Sequence, residues 1–300
     1  MSKEQLDVIV GIMRNGGGVD LTLPAEAARA QFDQMLTQIP APEGVTFEAA
    51  AGGPVRGFWS RATGAVEDRV LLYLHGGGYV IGDAWGYRPL WGALAQACGA
   101  RGLGVDYRLA PEHPFPAAVD DAVGAYRWLL DQGIGPQSIV LAGDSAGGGL
   151  TVAALVEARR LGLPMPAGAL AISPWVDLAC ASGTIVSKAA EDPSLTLPGL
   201  VNCVRQYLGG ASVDAPLASP IHADLTGLPP LLIQVGSAEI LLDDAVALAG
   251  KAGADGVRVR LEIWPAVPHV WHAFGFMLDE GREAIAEAGE FLRGRMDAGV

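Results

Sequence analysis

Cysteine is scarce in this chain, positive charge is outnumbered, and long uninterrupted apolar runs are missing. The three cysteines, Cys98, Cys180 and Cys203, are scattered and odd in number. They fit neither a disulfide framework nor a metal-ligand spacing and read as small buried hydrophobes. Lys and Arg number 20 against 33 Asp and Glu, for a formal charge of −13. That balance argues against nucleic acid and anionic membrane as partners and disfavours highly anionic substrates. No apolar stretch would cross a bilayer without a charge, Gly or Pro interrupting it. Met1-Ser2-Lys3-Glu4-Gln5 carries an acid and a base where a signal would have its apolar core. A soluble, cytoplasmic protein is expected. Internal repeats and low-complexity tracts are also absent.

What is present is a core-forming composition: 300 residues, of which 50% are hydrophobic. This suits one large α/β domain, or such a domain with a small subdomain. The chain is organised around Ser138 to Gly149, where the apolar run Ile139-Val140-Leu141-Ala142 ends in Gly143-Asp144-Ser145-Ala146-Gly147. An alanine-rich helical pattern begins at once. Strand, sharp turn and helix with a serine on the turn is the layout of a nucleophile elbow. Glycines flank the serine because backbone passes close to backbone there. The following helix places its N-terminal N–H groups where a developing negative charge would be stabilised. A Gly-x-Ser-x-Gly pattern alone is also compatible with a plain glycine turn in which Ser145 caps the helix.

Residues 1–45 read as two short amphipathic helices. Val8, Ile9, Ile12 and Met13 fall on one face of the first; Phe32, Met35, Leu36 and Ile39 repeat along the second. Eight strands follow, near 45–49, 55–60, 70–74, 103–106, 138–143, 169–173, 231–235 and 257–263. Helical patterns separate most of them, which predicts a mostly parallel, doubly wound sheet. Alternation stops between about Cys180 and Pro220, where Leu197, Leu200, Val201, Val204 and Leu208 line one helix face. Residues 1–45 and 180–220 are therefore expected to form a helical cap. The main α/β domain would comprise 46–179 and 221–300.

His75-Gly76-Gly77-Gly78 ends the third strand and offers backbone N–H groups unshielded by side chains. In an open parallel sheet this turn and the elbow both lie at the carboxyl edge, where ligands bind. The oxyanion donors read from it are Gly76 and Gly77, with Ala146 from the elbow helix. His75 is expected to orient the loop. A base should come after the last strand, and His269 fits that position, with His272 one turn later as the alternative. The acid should follow the strand ending at Val235-Gly236; Glu239 lies on the turn itself, and Asp243 is the alternative. A carboxylate there would fix the imidazole tautomer and stabilise the imidazolium.

These stretches, together with Asp106-Tyr107-Arg108-Leu109-Ala110-Pro111-Glu112-His113-Pro114-Phe115-Pro116-Ala117-Ala118, resemble the hormone-sensitive lipase family of α/β-hydrolase esterases. The resemblance is to the subgroup whose elbow reads Gly-Asp-Ser-Ala-Gly, and it runs from about residue 70 to 272. The family pattern usually carries Asp where this chain has Glu239. The resemblance implies an α/β-hydrolase fold and hydrolysis of small, short-to-medium-chain carboxylic esters by Ser145, His269 and Glu239 through an acyl-enzyme, with neither metal nor cofactor. An amidase or acyltransferase using the same triad, or a non-catalytic receptor on the same fold, are the alternatives. A homodimer is suggested by the resemblance alone. Arg108, Glu112 and Asp144 are expected to form a polar network around the loops. Tyr79, Trp85, Val201 and Tyr207 are candidate pocket residues.

Overall fold

The computed structural model describes residues 2–298. Its eight strands are β1 (Val45–Ala49), β2 (Gly57–Ala62), β3 (Val66–Leu74), β4 (Ala100–Val105), β5 (Ile139–Asp144), β6 (Gly168–Ile172), β7 (Leu231–Gly236) and β8 (Val259–Trp264). They form one sheet in the order β1-β2-β4-β3-β5-β6-β7-β8. The β1–β2 and β2–β4 pairs are antiparallel; the other five are parallel. Strands β5, β6 and β7 are buried along their whole length. This is why they read as continuous apolar runs with no alternation.

Helices α3 (Arg88–Cys98), α4 (Ala117–Asp131), α5 (Ala146–Arg160), α8 (Leu242–Ala254) and α9 (Asp279–Asp297) make the crossovers and final cover. Helix α5 is buried from Ala146 through Ala158, so it has almost no polar face. Helix α3 ends at Gly99, which takes the left-handed conformation that closes a helix C-terminus. The last helix starts at Asp279, after a separate 3-10 turn at Trp271–Phe274.

Two helices precede the sheet: α1 (Lys3–Ile12) and α2 (Ala25–Leu36). On α1 only Ile9 is buried, against Val267, Trp271, Leu278 and Ala284; Val8 and Ile12, expected on the same buried face, are exposed. On α2, Ala28, Phe32 and Leu36 are buried at four-residue spacing. Two helices lie between β6 and β7: α6 (Gly183–Ser187), which is too short to show a period, and α7 (Leu197–Leu208). Thr196 caps α7 by accepting the Gly199 N–H, and left-handed Gly209 ends it. The N-terminal segment lies beside this region. Asn202 donates to the Leu21 and Leu23 carbonyls, and Arg14 donates to those of Ala190 and Glu191. No helix among the described residues is long and apolar enough to cross a membrane.

Candidate active site

The parallel strands all deliver their ends to one edge. Leu74 pairs in register with Gly143, so the His75–Gly78 loop and the elbow leave the sheet side by side. Ser145 has φ 54° and ψ −122°, a strained conformation for a residue with a side chain. Its N–H donates to the Ile172 carbonyl at 2.8 Å and its carbonyl accepts from Trp175, which holds the turn. A Cβ on Gly147 would run into the Leu74 and His75 carbonyl oxygens, so only glycine lets the elbow helix pass the neighbouring strand.

Glu239 stands on the turn after β7 and is fully buried. Its Oε2 lies 2.6 Å from His269 Nδ1. Its Oε1 accepts the Gly236 N–H at 2.7 Å and the Ser173 hydroxyl at 2.8 Å. Both carboxylate oxygens therefore have defined partners. His269 follows β8, and it lines the same cavity as Ser145. Burial on its own would push the His269 pKa down. The negative charges of Glu239, Asp192 and Asp144 outweigh that, and the net shift is upward.

The alternatives considered for base and acid have other partners. His272 Nε2 is 2.8 Å from Gln234 Oε1 in the core, and burial lowers the His272 pKa to about 3. It is a neutral core histidine. Asp243 accepts the Thr184 N–H at 2.9 Å and so joins α8 to α6.

Gly76 departs from its expected role. Its N–H donates to Asp144 Oδ1 at 2.9 Å and is thus committed within the protein. The reason is Asp144 itself, which is buried beside the elbow and also accepts the Tyr73 hydroxyl at 2.6 Å. Burial raises the Asp144 pKa to about 6, against the opposing pull of Tyr73, His269, Gly76 and Tyr87. The N–H groups of Gly77, Gly78 and Ala146 have no partner among the described residues, and Gly77 and Gly78 line the cavity. The loop is braced by His75, whose Nδ1 lies 2.7 Å from the Gly76 carbonyl and whose ring stacks on Tyr107 at 4.3 Å.

None of the four expected pocket residues lines the cavity. Tyr79 and Tyr207 are buried and stacked on each other, ring centroids 3.8 Å apart. Trp85 is 46% exposed and packs against Phe58, with the Arg88 guanidinium over its ring. Val201 is 52% exposed, because the buried face of α7 runs through Leu200, Cys203 and Tyr207, about 100° away from it. The cavity, about 140 Å³, is walled instead by Phe32, Met35 and Leu36 of α2, Ile81, Leu90 and Leu200, with Ser145 and His269 at its polar end. The expected Arg108–Glu112–Asp144 network also separates into unconnected parts. Arg108 pairs with Asp121, while Glu112 pairs with Arg29 of α2. Arg29 further donates to the Val80 and Ala110 carbonyls, which pins α2 to the loop after the glycines.

Ser173 is a site residue that sequence reasoning missed. It stands where the apolar run of β6 meets the functional edge, and that position was the available signal. The three cysteines are free and buried, and burial pushes each thiol up to about 12.

Comparison with known proteins agrees with this fold. Residues 71–273 match the model of a family described by its α/β-hydrolase fold. An acetyl-hydrolase of Streptomyces hygroscopicus is 53% identical over 227 residues, covering 76% of each chain. An esterase of Acinetobacter venetianus is 33% identical over 90% of this chain and 89% of its own. The solved structure of an esterase from the bacterial hormone-sensitive lipase family superposes with a TM-score of 0.94 at 47% identity, covering 98% of both chains. The chain belongs to the hormone-sensitive lipase family of α/β-hydrolases.

Proposed function

We propose that the protein is a serine hydrolase of small carboxylic esters, with Ser145 as nucleophile, His269 as base and Glu239 as acid. The observation that carries this reading is the buried His269–Glu239 pair at 2.6 Å, opening onto the same cavity as the strained Ser145. Glu239 keeps the His269 proton on Nδ1, which leaves Nε2 unprotonated and able to accept the Ser145 hydroxyl proton. Ser145 Oγ attacks the ester carbonyl carbon, and the carbonyl oxygen becomes negative. The free N–H groups of Gly77, Gly78 and Ala146 are the donors that would hold it. The C–O bond to the alcohol breaks, and His269 returns the proton to the departing alkoxide. Water, deprotonated by the same histidine, then attacks the acyl carbon; the bond to Ser145 Oγ breaks, His269 returns the proton to the serine, and the acid is released.

The cavity favours short acyl groups. Its volume of about 140 Å³ and its apolar wall suit a small acyl group. Residues 1–45 and 180–220 act in this reading as a cap, since Met13, Val19, Leu21, Phe32, Met35, Leu36 and Ile39 from the first and Leu195 and Leu200 from the second contribute to the apolar wall. A pure receptor would have no use for a buried carboxylate holding the imidazole tautomer. The test is hydrolysis of chromogenic esters from acetate to palmitate by the wild type beside Ser145→Ala. Turnover of short chains that disappears in the variant is expected; a folded wild type that turns over none of them contradicts the proposal.

A further inference from the structure

The segment between α6 and α7 contains a buried carboxylate that the triad reading does not use. Asp192 is 8% exposed. Its Oδ1 accepts the N–H groups of Ser194 at 2.8 Å and Leu195 at 2.9 Å. Its Oδ2 accepts the N–H of Ile240, the residue directly after Glu239, at 2.9 Å. The Ile240 carbonyl is gripped from the same side by the Thr184 hydroxyl at 2.9 Å. Both peptide groups of Ile240 are thus held by residues from outside the sheet. Ser194 and Leu195 are themselves walls of the cavity.

We infer that Asp192 is a positioning residue for ester hydrolysis: its carboxylate ties the Glu239-bearing turn and the Ser194–Leu195 cavity wall into one unit. The inference rests on the ester-hydrolase reading above. A carboxylate can accept all three N–H groups because both of its oxygens are acceptors. A neutral amide cannot. Whichever way it turns, its NH₂ group meets either the Ile240 N–H or those of Ser194 and Leu195, leaving donor against donor in a buried site. The same charge also acts on the base. His269 is faced by Glu239 from the turn after β7, by Asp144 from the end of β5, and by Asp192 from this segment, and all three raise its pKa.

The experiment compares wild type, Asp192→Asn, Asp192→Glu and Ser145→Ala on a short chromogenic ester, with kcat and KM followed across pH and thermal unfolding measured alongside. For Asp192→Asn we expect a lower kcat and a higher KM, each by on the order of tenfold, and an acid limb displaced to lower pH. For Asp192→Glu, which keeps the charge but moves the carboxylate by one methylene, we expect a lower kcat with the acid limb in place. Asp192→Asn with wild-type constants and limb, or one that loses only thermal stability, overturns the inference. Should Asp192→Asn fail to fold, unchanged constants in Asp192→Glu overturn it. Absence of Ser145-dependent turnover in the wild type removes the ester-hydrolase reading and this inference with it. Wild-type turnover with an unaltered Asp192→Asn removes this inference alone.

Discussion

Replacing Glu239 by Gln tests the coupling between acid and base, and the structure dictates which way the amide must turn. Oε1 accepts the Gly236 N–H and the Ser173 hydroxyl, so that side has to remain a carbonyl oxygen. The new NH₂ group then takes the place of Oε2, 2.6 Å from His269 Nδ1. A donor there requires Nδ1 to accept, which moves the imidazole proton to Nε2 and removes the lone pair that would deprotonate Ser145. Trapping a catalytic histidine in the wrong tautomer typically costs about 10⁴ in kcat, equivalent to roughly 5.5 kcal/mol of transition-state stabilisation. A second signature accompanies the loss. Glu239 is the largest of the influences that raise the His269 pKa, so residual activity should show its acid limb at lower pH than the wild type. Glu239→Asp keeps the charge but withdraws it by one methylene. A displacement of that size typically costs on the order of 10²-fold, without the tautomer penalty. Steady-state kinetics of a short chromogenic ester across pH measures all of this. A Gln variant that keeps more than about a tenth of wild-type kcat, with its acid limb unmoved, would refute the reasoning.

Two other substitutions separate structural from catalytic groups. His272→Ala should leave kcat per folded molecule within about threefold of the wild type, but lower stability by roughly 1–3 kcal/mol, since the buried Gln234 carbonyl loses its donor; a collapse in kcat would instead make His272 the base. Asp244 is buried and accepts the Val176 and Asp177 N–H groups at 3.0 Å, and burial raises its pKa to about 7. The folded state therefore binds this proton more tightly than the unfolded chain. The resulting stabilisation is complete below about pH 4 and is lost as pH rises through about 7, by up to about 4 kcal/mol. Asp244→Asn keeps an acceptor oxygen without the charge, so its Tm should fall less than that of the wild type between about pH 5 and 8; equal falls would contradict this account.

What could be read in the sequence was whatever depends on local order along the chain. The elbow, the glycine loop, the acid turn and the late histidine each sit directly after a strand, and a parallel sheet brings all strand ends of one direction to one edge. Glu239, the proposed acid, stands on the turn and meets His269, while Asp243 lies inside α8 and faces Thr184. Contacts between distant elements were not legible. The N–H of Gly76 is committed to Asp144 only because the Asp144 side chain points back toward the β3 loop. Val201 shares an apolar pattern with Leu200, yet one residue of helical rotation decides which of them is buried. Part of the cavity wall comes from α2, more than a hundred residues before Ser145, and nothing in its pattern distinguishes covering a pocket from covering a core. Arg108 and Glu112 are near neighbours in sequence, but they take their charges from Asp121 and Arg29 respectively.

The most direct test of the central claim is to trap the acyl-enzyme. Wild type and Ser145→Ala would be mixed with excess short-chain p-nitrophenyl ester, quenched in acid within the first turnovers and digested, and the peptides weighed. The account predicts one added acyl group on the peptide that contains Ser145, released with time in the wild type and absent from Ser145→Ala. Turnover without any acylated serine peptide, or an acyl group on another residue that persists in Ser145→Ala, would contradict it.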